Sequence, residues 1–195
     1  MKPLQLLQAM DQRLFVRFSR RFEDYVFRGY VLAVGPRFFL LSVVSDRIRF
    51  EGFECFRMSD VTNLRPEPHA TFAEAALRKR GKRTPKDPRV KVGSIEEVLL
   101  SANRAFPLVT IHCERLDPDV CYVGRVVGIE RGRLSLLGIS PDATWDETPN
   151  DHALKDITRV SFGGDYENAL HLVGGSPESP VQPSRPKRRT PRRGR

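Results

Sequence analysis

The chain has 195 residues, room for one ordinary domain or two small ones, with 39% hydrophobic residues, 29% charged residues and a formal net charge of +9. No run of 18 apolar residues occurs, which excludes a membrane-spanning helix, and the glutamine-broken start MKPLQLLQAMDQR does not read as a secretory signal. Three scattered cysteines form no CxxC pair, so the expectation is a reducing, cytoplasmic setting without a disulfide framework.

In chain order, Pro3 suits a first helical turn, and Leu4, Leu7, Met10 and Leu14 follow at helical spacing. Five short runs rich in Val, Ile, Phe and Tyr come next, predicting strands at 13–19, 25–34, 38–44, 48–57 and 60–64. Thr71 with Glu74 reads as a capping box for a helix over 72–80, stopped at Gly81. The stretch 81–93, punctuated by Gly81, Pro85, Pro88 and Gly93, reads as a flexible linker. Ser94 with Glu97 opens another helix over 94–104, and five more strands are predicted at 107–115, 120–129, 133–139, 143–154 and 157–162. Residues 175–195 hold five prolines and one large aliphatic residue, Val181, too little apolar surface to offset the entropy of ordering, and read as disordered.

The two sets of strands share an ordered series of residues, which points to duplication. Asp24 precedes Gly29 by five positions, as Asp119 precedes Gly124. Phe27 or Tyr122 stands two before the glycine, and Val31 or Val126 two after it. Leu40-Leu41 and Leu136-Leu137 follow, and the units close with Asp60-Val61-Thr62 and Asp156-Ile157-Thr158. Five strands in about fifty residues bury little as an open sheet, so each unit is expected to bend into a small barrel. The bend is expected at Gly29 and Gly124, mid-strand, where a side chain would crowd the coiled sheet.

A short helix followed by five bent strands, with a glycine in the second strand and an aliphatic pair in the third, resembles the Sm-like family, which includes the bacterial Hfq-type proteins. The resemblance covers 13–64 and 107–162. The ending DITRVSFGGDYENAL also resembles a group of uncharacterised bacterial proteins. It implies a mainly β protein of two five-stranded, strongly bent barrels, each preceded by a helix, contacting RNA or protein. The expected organisation is a first unit over 1–80, a basic linker over 81–93, a second unit over 94–174 and a basic tail over 175–195. The Asp-x-aliphatic-Asn loop of the RNA binders is replaced here by VGPRFF and IERGRL, and the Arg-Gly before the last strand by Met58-Ser59-Asp60 and Leu154-Lys155-Asp156. The family's base-stacking pocket is therefore not carried over.

Catalysis finds little support. His69, His112, His152 and His171 show no HExxH spacing, and neither GxSxG, P-loop nor GxGxxG is present. His112, Cys113 and Cys121 fall short of a four-ligand zinc set and read as packing residues, the two cysteines small and buried in neighbouring strands. No cofactor or metal is expected. Asp60 and Asp156 read as turn residues bonding backbone amides, and Phe50, Phe53, Phe56 and Trp145 as core.

The charge is concentrated. Residues 78–91 hold eight bases and one acid, and 176–195 seven bases and one acid, leaving 18 bases against 22 acids elsewhere, a net −4. Flexible guanidinium and ammonium groups neutralise phosphates and release counterions, arginine adding bidentate contacts. The candidate nucleic-acid ligands are Arg78, Lys79, Arg80, Lys82 and Arg83, with Arg185, Lys187, Arg188, Arg189, Arg192 and Arg193 in the tail and Arg37, Arg131 and Arg133 in the barrel loops. The expected partner is RNA or DNA. The rival is a protein partner or a second copy, joined through strand edges or helices, with the basic segments only solubilising. No membrane partner is expected, because no aromatic or amphipathic anchor accompanies the charges.

Overall fold

The computed structural model describes residues 2–84 and 86–177. The tail ligands expected at 185–193 lie outside the described residues. The chain runs α1 (Lys2–Asp11), β1 (Phe15–Arg20), β2 (Glu23–Val34), β3 (Phe38–Val44), β4 (Phe50–Arg57), a 3-10 turn (Met58–Asp60), β5 (Val61–Pro66) and α2 (Ala70–Lys79). The series then repeats as α3 (Ile95–Ala105), β6 (Val109–His112), β7 (Cys121–Glu130), β8 (Arg133–Gly138), β9 (Asn150–Ala153), a 3-10 turn (Leu154–Asp156), β10 (Arg159–Phe162) and α4 (Asp165–Gly174).

All ten strands form one antiparallel sheet in the order β5-β1-β2-β3-β4-β10-β6-β7-β8-β9. Each half has its own fifth, first, second, third and fourth strands side by side in that order. The expected pair of small barrels is not what forms: the sheet is open, and β4 pairs with β10 of the other half instead of closing on β5. The reason is visible in the seam. Val160 lies opposite Cys55, and both side chains are buried, as are Phe56 and Phe162. Pairing across the halves thus satisfies the edge of β4 and buries the apolar residues that closure would have had to cover.

At the two glycines where the bend is expected, the structure shows a close approach of neighbouring strands. A Cβ on Gly29 would lie 2.1 Å from the Ser42 carbonyl oxygen, and one on Gly124 would lie 2.2 Å from that of Leu137. Each glycine lets the third strand press onto the second at the same place in its half.

Helices cover the sheet. In α1 the inward residues are Leu6 and Ala9 with Met10, packed on Phe18, Phe27 and Phe56. Leu4 and Leu7, part of the expected stripe, are exposed at 73% and 38%. The Thr71–Glu74 capping box does not form, because α2 starts earlier with His69 as its N-cap, and Glu74 accepts from the Tyr30 hydroxyl at 3.3 Å. At α3 the expectation holds: the Ser94 hydroxyl accepts from the Glu97 amide at 3.2 Å. Helix α4 was not expected. Its Leu170 packs on Leu108, Val123 and Ile139, as Ala73 and Leu77 of α2 pack on Phe15, Tyr30 and Val44.

One core joins the halves. Phe38, Leu40 and Cys55 meet Val98, Leu99, Ala102, Ile111, Val160 and Phe162. Val90 and Val92 belong to this core, and a Cβ on Gly35 would lie 2.1 Å from the Val92 carbonyl oxygen. The C-terminal end of the stretch read as a linker is therefore packed against the β2–β3 turn.

Candidate nucleic-acid interface

The three loop arginines converge. Arg37 stands in the turn between β2 and β3. Arg131 and Gly132 form the two-residue turn between β7 and β8, with φ of 50° and 74° and Glu130 paired to Arg133. Two consecutive positive φ values are the hairpin geometry that matches strand twist, and Gly132 accommodates it without strain. The Leu154 amide bonds the Gly132 carbonyl at 2.9 Å, tying this turn to the one before β10. The result is a cleft of about 640 Å³ between the halves, lined by Arg37, Arg57, Arg131, Arg133 and Lys155 with Glu96 as the sole carboxylate.

Arg57 and Lys155 were not among the sequence candidates. Arg57 ends β4 and reaches across the seam, donating through Nη2 to the Ile157 carbonyl at 2.9 Å. Its guanidinium carbon sits 5.2 Å from the Phe38 ring centroid, a cation–π contact. Burial, then the Arg115 charge, draws its pKa below the usual arginine value; Asp60 opposes this and Arg37 adds to it. Arg57 Nε also lies 4.0 Å from the Asp60 carboxylate. Arg133 is engaged only at its edge: Nη2 donates to the Asp151 carbonyl at 3.3 Å, and Nε lies 3.5 Å from its carboxylate.

A buried charge network fixes the seam beside this cleft. Asp60, 2% exposed, takes Arg115 Nη2 at 2.8 Å, so its role is an ion pair between the halves and not the amide-binding turn expected of it. Arg20 Nη1 donates to Glu114 Oε1 at 2.8 Å, and Arg159 reaches Glu114 at 3.2 Å and Glu54 at 3.3 Å. Thr158 donates to the same Glu114 carboxylate. Burial alone would raise the Glu114 pKa, but the Arg20 hydrogen bond and the Arg20 and Arg159 charges outweigh it and hold the carboxyl low. His112 bonds Arg159 at 3.1 Å and Ser161 at 3.2 Å, and burial, reinforced by Arg159, pushes it down to about 3.

The other candidates lie elsewhere. Arg78, Lys79, Arg80, Lys82 and Arg83 are exposed at and beyond the C-terminal end of α2, next to the β3–β4 turn. Strand β3, seven residues long, separates them from Arg37. Among the described residues no group of three or more His, Cys, Asp or Glu is placed to hold a metal. Cys113 is buried but Cys121 is exposed, so the two do not form the buried pair expected. Of the four aromatics read as core, Phe56 is fully buried and Phe50, Phe53 and Trp145 pack partly buried against the core clusters. No helix among the described residues is long and apolar enough to cross a membrane.

Searches against protein-family models, curated proteins and solved structures return no match.

Proposed function

We propose that the protein is a non-enzymatic, cytoplasmic adaptor that binds RNA or DNA through phosphate contacts, with the cleft between its halves as the folded binding surface and the basic C-terminal segment as an auxiliary one. The observation that carries this reading is the convergence of Arg37 and Arg131, from the same turn of different halves, on one concave surface with Arg57, Arg133 and Lys155. Five cations and one carboxylate line it, and although Arg57 and Arg133 also lie 4.0 and 3.5 Å from Asp60 and Asp151, the excess of positive charge suits a chain of phosphates. The large side chains behind them, Phe38 and Leu154, are buried, so the cleft offers no exposed aromatic for base stacking, and binding is expected to tolerate many sequences. The strand order common to both halves supports two tandem Sm-like units sharing one sheet.

Anisotropy of short labelled single-stranded RNA and DNA across a salt series tests this. Arg37→Ala combined with Arg131→Asn removes two cations while keeping a residue that tolerates the left-handed turn position. Loss of two contacts is expected to weaken binding about tenfold and reduce the log–log salt slope by about 1.4. Unchanged affinity and slope would remove the cleft from the mechanism.

A second reading, a protein-interaction module, draws on the apolar residues that α4 leaves in solvent: Tyr166, Leu172 and Val173, 54%, 85% and 76% exposed. Docking on such a face would persist at high salt, whereas phosphate contacts would not.

A further inference from the structure

At the end of β3 and β4 remote from the cleft, the turn between them exposes Arg47 and Arg49. The last turn of α2 is fastened to it: Arg80 Nη1 donates to the Arg47 and Ile48 carbonyls at 2.9 and 2.8 Å, and Leu77 packs in one cluster with Ile48 and Phe50. The helix then closes through the Gly81 and Lys82 amides, bonded to the Arg78 and Leu77 carbonyls. Arg78, Lys79, Lys82 and Arg83 are thereby held exposed beside the two turn arginines. Neither 47–50 nor 76–83 contains an acid, and Asp46 and Glu74, which precede them, are engaged by Arg28 and Tyr30. The partial negative charge of the helix C-terminus offsets part of the repulsion, and Arg80 alone is consumed in a structural contact. Six exposed cations remain in these two segments, with the carboxylates of Asp46 and Glu74 at their margins.

Resting on the cleft reading above, we infer that this surface is a second anchoring site for the backbone of the same single-stranded nucleic acid that occupies the cleft. The two surfaces lie at opposite ends of β3, roughly 20 Å apart at about 3.3 Å per residue. A single strand is flexible on that scale and reaches both surfaces with little bending cost, whereas a duplex, stiff over about 150 base pairs, reaches both only if they lie along one straight path. Once the strand is long enough to reach both, the second contact is intramolecular and multiplies the affinity of the first. Short oligonucleotides therefore occupy one surface, and longer ones both.

The test uses the full chain and labelled oligo-U and oligo-dT of about 4 to about 24 nucleotides, bracketing common site sizes. The variant Arg78→Ala/Lys79→Ala/Lys82→Ala/Arg83→Ala keeps the Arg80 clamp, and a thermal melt checks that it folds. The wild-type protein is expected to bind the longest strands at least a hundredfold more tightly than the shortest. The variant keeps the short-strand affinity set by the cleft and loses at least tenfold on the long strands. A variant that binds long strands as tightly as the wild type overturns the inference, as does one that loses short and long strands equally, which would make this a single primary site. Failure of the Arg37→Ala/Arg131→Asn variant to weaken short-strand binding would instead sink the cleft reading itself.

Discussion

The seam of the sheet and its two outer edges are built from the same kinds of strand and meet opposite fates. At the seam, the fourth strand of the first half pairs with the fifth of the second, β4 with β10. At the edges stand the fifth strand of the first half, β5, and the fourth of the second, β9. Counting from the 3-10 turns at Met58 and Leu154, the counterparts of Val160 and Cys55 are Leu64 and Asp151. A fully buried apolar pair in the seam thus corresponds to an aliphatic residue and a half-exposed carboxylate on the edges. The edge β5 also carries Asn63 at φ 52°, and Pro66, which has no amide to donate. These are the devices that keep exposed strands from pairing, and they teach that apolarity at one inward position decides which edge is joined.

The largest expected effect comes from breaking the seam's charge network. Glu114 holds Arg20, whose side chain is 1% exposed, and Arg159. Glu114→Ala leaves both cations without that carboxylate, and the cost is expected to be about 3–5 kcal/mol, read by urea denaturation. A loss under about 1 kcal/mol would mean that Glu23, 3.2 Å from Arg20 Nη1, together with the rings of Phe22, Phe27 and Phe56, 5.3–5.9 Å from the guanidinium, suffices to hold that charge.

Next in size is the close approach inside each half. Gly29→Ala and Gly124→Ala each drive a methyl into a strand carbonyl and are expected to cost about 2–3 kcal/mol. Gly128→Ala, in the same strand as Gly124 but with no atom within 4 Å, is the control and is expected to be near neutral. Equal costs at Gly124 and Gly128 would show that strand glycine is needed for something other than the bend.

What could be read from sequence divides along the same line. The strands of the first half fall within two or three residues of expectation, because turn signals such as Gly35-Pro36 and alternating aromatics are local. The second half is less legible: β9 spans only Asn150–Ala153, because residues 143–149 form irregular chain with a single bridge from Ile139 to Trp145. Barrel closure was misjudged because no local pattern states whether β4 turns to β5 or to a strand a hundred residues away. Helix α4 has its signals, Asp165 and Glu167 in the first turn and Gly175 at the stop, but the series of residues shared by the two halves ends before it and gives it no counterpart. At the cleft, comparing equivalent turns found Arg37, Arg131 and Arg133. Arg57 and Lys155 were missed because one reads as a strand end and the other as a turn, and only the seam brings them to the same surface.

The seam is also expected to give acid lability through a buried histidine. His112 drops from 6.5 to about 3 in the fold through burial, then the Arg159 charge, with Glu114 opposing and Arg20 adding to the drop. Between those values the unfolded chain binds the proton and the folded chain does not, so stability falls as pH is lowered, by up to about 1.4 kcal/mol per pH unit. Glu54, raised by burial against the pull of Arg159, works in the opposite direction, so the comparison is made between wild type and His112→Gln. The variant is expected to show a flatter stability profile between pH 6 and 4 in urea titrations. Parallel profiles would place the proton uptake elsewhere.

The smallest effect sharpens the edge side of the comparison. The pair of Arg133 and Asp151 is 54% exposed on both side chains, so solvent screens it, and Asp151→Ala is expected to leave the urea midpoint nearly unchanged. Its informative consequence is different. Asp151 occupies the place that Cys55 fills in the seam, so Asp151→Val restores an apolar residue to an open edge at the loss of only solvent-exposed contacts, the Ser135 hydrogen bond and the Arg133 pair. If inward apolarity decides pairing, Asp151→Val raises the apparent mass in light scattering at high protein concentration, and Asp151→Asn, neutral but polar, does not. Equal behaviour of the two variants would assign the protection of β9 to its four-residue length instead, since so short a strand offers few amides to a partner whatever side chain it carries.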